Sequence, residues 1–127
     1  MKLTVSKTLA LLSATAATAT ALAEVSIDFY LFNTTCSLDK PTTYTLLENS
    51  CFGIEGWPWG SLAPYLADGT TCSDATKTPV LYTWTDYNEQ DYDNCGSTLY
   101  ATYDVTDEHT CYPVDAEYLQ RLQVKCE

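Results

Sequence analysis

Trp57 and Trp59 stand either side of Pro58 in the stretch GWPWG, with Gly56 and Gly60 closing its ends. Proline fixes its own φ and drives the residue before it into an extended conformation, so the tripeptide is stiff. On an extended segment, residues i and i+2 face the same side, roughly 6–7 Å apart. Such a pair is a stacking platform for a sugar ring or for an aromatic surface of a protein partner. Tryptophan is also among the residues that dominate the energetics of protein interfaces. The competing use is structural, with an indole folded back as a lid over a core too small to close itself. The stretch therefore divides into one tryptophan as lid and one partly exposed and free to interact. Trp84 continues the apolar face of Val80 and Tyr82 and is expected in the core.

Few residues could support catalysis. His109 is the only histidine, which excludes histidine-rich metal centres and two-histidine acid–base schemes. No serine sits in G-x-S-x-G; CGSTL around Ser97 lacks the second glycine. With 17 Asp and Glu in the chain, a carboxylate pair of the kind a glycosidase needs could arise by chance. The acidic, tyrosine-rich composition resembles the small secreted guanyl-specific ribonucleases of fungi, which use two histidines, a glutamate and an arginine. One histidine and one arginine, Arg121, cannot supply that set. The chain is expected not to be an enzyme.

DNCGST, residues 93–98, is similar to the calcium-binding sequence of βγ-crystallin-type domains, N/D-N/D-x-x-S/T-S, with Thr98 in place of the last serine. Calcium takes six to eight hard oxygens, so a carboxylate, an amide carbonyl and a hydroxyl in one turn suit it. The resemblance implies a possible calcium site at Asp93, Asn94 and Ser97, completed by Asp39 from the partly matching LDKPTT. The family's aromatic–glycine signature is not met: Glu89 follows Tyr82 and Tyr87 where glycine belongs.

These residues need a scaffold, and the ends of the chain say which part supplies it. Lys2 and Lys7 precede an apolar, small-residue run that closes on Ala21-Leu22-Ala23, the pattern of a secretory signal cleaved after Ala23. The run is too short and too rich in threonine to span a bilayer. The expected product, 24–127, is a single secreted domain small enough to gain from crosslinks. All six cysteines (Cys36, Cys51, Cys72, Cys95, Cys111 and Cys126) fall within it, none in C-x-x-C spacing, so three disulfides are expected. That product keeps Lys40, Lys77, Arg121 and Lys125 against seventeen acidic residues, a net charge near −13. Four scattered positive charges exclude a phosphate-neutralising nucleic-acid surface and disfavour anionic membranes. The sequon Asn33-Thr34-Thr35 marks Asn33 for glycosylation.

The elements read mainly as strands. VSIDFYLF (25–32) alternates with period two; TTYTLLENSCF (42–52) is strand, turn, strand; PVLYTWT (79–85) and TLYATYDV (98–105) are strand-like. SLAPYLADG (61–69) reads as one or two helical turns capped by Ser61, and Leu122, Val124 and Cys126 alternate like a closing strand. TYTLLENSCF and TYDVTDEHTCY echo one another, which suggests two related Greek-key halves. Cys36 to Cys51 and Cys111 to Cys126 are equally spaced, so each pair could tie one half, leaving Cys72–Cys95 among fifteen possible connectivities. The expected fold is a small disulfide-linked β sandwich or barrel with minor short helix.

The whole pattern resembles the small secreted cysteine-rich proteins of filamentous fungi, many of them candidate effectors or toxins. That resemblance implies a non-enzymatic extracellular protein that binds a host protein or a cell-wall component. Two alternatives stand beside it. One is a carbohydrate-binding module using Trp57 and Trp59 as a flat strip; the other is a small secreted hydrolase with a carboxylate pair.

Overall fold

Eight strands follow one another in the computed structural model, which describes residues 22–37, 40–86, 94–115 and 118–127. They are β1 (Glu24–Leu31), β2 (Thr42–Leu47), β3 (Cys51–Gly53), β4 (Trp59–Leu66), β5 (Pro79–Trp84), β6 (Leu99–Asp104), β7 (Tyr112–Pro113) and β8 (Arg121–Cys126). Two four-stranded sheets result, ordered β2-β1-β4-β7 and β3-β8-β5-β6, with every pairing antiparallel. No helix occurs among the described residues. The protein is a small β-rich fold linked by disulfides.

Read from its other edge, the second sheet is β6-β5-β8-β3, the order of the first with the two halves of the chain exchanged. In each half the fourth strand lies beside the first and the first beside the second, as in a Greek key. The third strand leaves for the edge of the opposite sheet. The registers match: Ile27 faces Tyr44 and Phe29 faces Leu62 in one half, Leu81 faces Tyr103 and Thr83 faces Leu122 in the other. Ile54 N donates to Gln120 O (3.0 Å) and Val114 N to Gly60 O (2.9 Å), the same bond made from each half. An isolated bridge pairs Pro58 with Tyr118, which the same shift of sixty positions relates. A pseudo-twofold axis passes there.

The core is one cluster fed by both sheets. Val25, Ile27, Phe29, Leu46, Trp59 and Leu62 come from the first; Leu81, Tyr103, Leu122 and Val124 come from the second. Period-two alternation in β1 places these side chains inward, as the sequence pattern requires. Trp84 is buried too, at 5 % exposure, but on the outer face of its sheet. Gly96 approaches it so closely that a Cβ there would lie 2.8 Å from Trp84 Cβ and 2.5 Å from Asp86 O.

Two expectations are corrected. Ser61–Leu66, read as helical turns, belongs to β4. Leu62, Pro64 and Leu66 alternate inward, and β7 pairs only with Ser61 and Leu62. Pro64 thus sits where the strand's free edge needs no donor, which is where a strand accepts proline. The disulfides join Cys36–Cys111, Cys51–Cys95 and Cys72–Cys126, not Cys36–Cys51, Cys72–Cys95 and Cys111–Cys126. Exchange of the third strands explains this. Cys51 opens β3 inside the other half's sheet and meets Cys95 in the β5–β6 connection. Cys111, just before β7, meets Cys36 in the β1–β2 connection. These two bridges are equivalents under the pseudo-twofold, and the equal fifteen-residue spacings compared positions that the symmetry does not relate.

Candidate aromatic binding face

Glu55 organises the tryptophan pair. Trp57 Nε1 donates to the Glu55 carboxylate, and Trp59 Nε1 donates to the Glu55 carbonyl at 3.2 Å. The backbone is drawn tight over the same span, with Trp57 N on Glu55 O (2.9 Å) and Trp59 N on Trp57 O (2.8 Å). Three-residue bonds of this kind are common where a loop runs into a strand. The Glu55 backbone also hydrogen-bonds the Tyr44 phenol, whose pKa is raised by burial, by more than that bond lowers it.

The two rings have different fates. Trp59 is 3 % exposed and packs on Phe29, with ring centroids 5.0 Å apart. Phe29 in turn meets Tyr44 edge-on, and Tyr44 meets Phe52. Trp57 is 47 % exposed. The division into a lid and an exposed ring therefore holds, whereas a flat strip of both rings does not form, because β4 begins at Trp59 and carries it inward. Between them lies a groove of about 370 Å³, lined by Leu31, Thr42, Tyr44, Glu55, Trp57 and Trp59.

Two further exposed aromatics flank the segment, and the sequence did not single them out. Phe32 is 76 % exposed and adopts φ 58°, a left-handed conformation that is a true outlier for a bulky side chain. Its N–H bonds Pro58 O at 3.3 Å. Tyr118 is 57 % exposed, bridges Pro58, and has its Cβ 3.7 Å from where a Cβ on Gly56 would lie. Phe32, Trp57 and Tyr118 thus issue from three chain segments bonded together at the pseudo-axis. The pattern VSIDFYLF counts Phe32 as strand; only its place before the Asn33 turn hinted otherwise.

The remaining candidates lie elsewhere. Asp39 and Asp93 fall outside the described residues. Asn94 Oδ1 accepts Lys125 Nζ (2.7 Å), an ammonium where a calcium ligand was expected. Ser97 turns to Asp86, donating from N (3.0 Å) and Oγ (2.5 Å), and Thr98 adds two more bonds to the same carboxylate. Those bonds hold Asp86 below the usual carboxylate range. Among the described residues no group of three or more His, Cys, Asp or Glu could hold a metal. Asn33 closes a turn: its Oδ1 accepts Thr35 N (3.0 Å) and Ser37 N (3.1 Å), and its Nδ2, the atom a glycan would use, donates to Ser37 Oγ (3.0 Å). His109 is exposed and stacks on Tyr65 at 3.8 Å, toward the end of β4 remote from Trp59. No described helix is long and apolar enough to cross a membrane.

Set against known protein families, curated proteins and solved structures, the chain matches none.

Proposed function

We propose that the protein is a secreted, non-enzymatic interaction protein that engages an extracellular protein or cell-wall component through Phe32, Trp57 and Tyr118. The observation that carries this is Phe32. A left-handed phenylalanine costs about 1–2 kcal/mol, and this one spends it on a side chain left in solvent, its backbone bonded to Pro58, the residue after half-exposed Trp57. Strain retained at a surface aromatic is a mark of a site rather than of packing. Three disulfides and the absence of a spanning helix among the described residues are compatible with secretion.

A glycan reading draws on the groove, where Trp57 and Tyr44 supply ring surface and Thr42 and Glu55 supply polar groups. Hydrolysis has less support, since that groove is lined by one carboxylate and a glycosidase needs two about 5–9.5 Å apart.

The test is retention of the secreted protein on chitin, cellulose, β-glucan and immobilised extracellular proteins, with calcium and with chelator. Trp57→Ala, Phe32→Gly and Tyr118→Ala are run beside the parent. Loss of retention in all three, with folding intact, supports the face. Retention that none of them alters would remove it, and loss on a polysaccharide with Trp57→Ala alone would favour the glycan groove.

A further inference from the structure

We infer that the mature chain begins at Leu22, not Glu24, and that Ala23 is a working part of the folded protein. The inference rests on the secreted reading above. Small residues at both recognition positions of a signal cleavage site recur, as Ala14-Thr15-Ala16, Ala17-Thr18-Ala19, Ala19-Thr20-Ala21 and Ala21-Leu22-Ala23. Sequence pattern does not choose among them; the fold rules out the last, and of the cuts that spare Ala23 the one after Ala21 leaves the fewest residues ahead of β1.

Ala23 is 0 % exposed. Its carbonyl accepts Glu48 N at 3.0 Å, and its own N–H donates to Glu48 Oε1 at 3.1 Å. Glu48 is itself buried, at 7 % exposure, in the turn between β2 and β3. The same carboxylate accepts Ser73 N (2.8 Å) and Ser73 Oγ (2.9 Å). One side chain thus joins the lead into β1, the β2–β3 turn and the connection between the two halves, next to the Cys72–Cys126 bridge.

A cut after Ala23 would strip Glu48 N of its acceptor and Glu48 Oε1 of one donor, and leave a methyl-sized void where Ala23 sits. The new α-ammonium on Glu24 would start from a different partner, because Glu24 N donates to Thr70 Oγ1 at 3.2 Å. Buried polar groups left unpaired are costly. A cut after Ala21 keeps all of these bonds and places the new ammonium on Leu22, which is 43 % exposed and can hydrate it.

The full chain, residues 1–127, would be expressed in a secreting eukaryotic host, and the protein in the medium read by N-terminal sequencing. Leu22 as first residue is the expected result; Glu24 or any other residue overturns the inference. Uncut chain retained in the cell would overturn the secreted reading along with it, so the two failures are distinguishable. Independently, purified 22–127 and 24–127 would be unfolded in urea with disulfides intact. The shorter chain is expected to have an unfolding constant at least about tenfold larger, and equal stability would overturn the structural role of Ala23.

Discussion

The indole nitrogens of Trp57 and Trp59 both find their acceptor in Glu55, one in its carboxylate and one in its carbonyl. The two residues nonetheless carry opposite burdens, and substitution separates them. Trp59→Ala empties a buried aromatic site and is expected to cost about 3–5 kcal/mol, whereas Trp57→Ala should stay within about 1 kcal/mol. Urea unfolding measures both. Phe32→Gly relieves a left-handed backbone at the expense of chain entropy. Its expected outcome is a gain of about 0.5–1 kcal/mol together with loss of partner retention, a trade typical of a residue kept for binding. A destabilised Phe32→Gly protein would mean the side chain packs in the fold after all.

Strand exchange is what the elements contribute. Each third strand completes the other half's sheet, so the Cys36–Cys111 and Cys51–Cys95 bridges run between halves and fasten the exchange from both sides. Peptide mapping without reduction should recover Cys36–Cys111, Cys51–Cys95 and Cys72–Cys126 and no bridge within a half. The Cys36–Cys111 bridge closes a separation of 75 residues. By the chain-entropy estimate, Cys36→Ser with Cys111→Ser should cost about 4 kcal/mol, read from the shift in urea midpoint. The echo of TYTLLENSCF in TYDVTDEHTCY matches the repeated strand order, because both run from a second strand through a turn to a third. It could not carry the pairing, because which sheet receives the third strand is a long-range choice.

For the molecule as a whole, pH should bound stability on both sides. Burial alone would raise Glu48, but bonds from Ala23 and Ser73 outweigh it and leave its pKa lowered; Asp86 is lowered by Ser97 and Thr98. A carboxylate with a depressed folded pKa stabilises above its unfolded value of about 4, and that stabilisation is lost as pH falls through the folded value. Tyr103 moves oppositely: burial, reinforced by Tyr100, pushes it up to about 12. Its contribution is complete below the unfolded tyrosine value of about 10 and is lost as pH rises from there through 12. Unfolding free energy against pH should therefore hold level through neutrality, fall in acid, and fall again above about 10 with tyrosine ionisation. Glu48→Gln should flatten the acid limb; an unchanged limb would place the acid sensitivity elsewhere.

Much of this was legible in the residues alone. Alternation in 25–32 and at Leu122, Val124 and Cys126, with the β-branched and aromatic runs in 42–52, 79–85 and 98–105, pointed to strands, since a side chain's face in a strand follows from its neighbours. Cysteine number and spacing declared a disulfide-linked fold. Pro58 between two tryptophans declared a stiff aromatic segment with divided roles. Other features depended on partners remote in sequence. Ser61–Leu66 became a strand because β1 offered it a ladder, overriding a local pattern that suits a helical turn. Phe32 and Tyr118 come to the Trp57 segment only through the Phe32 N–Pro58 O bond and the Pro58–Tyr118 bridge. The cysteine pairing awaited the exchange of third strands. Local pattern sets which surface each residue shows, but which distant surface it meets is decided by the packing of the whole chain.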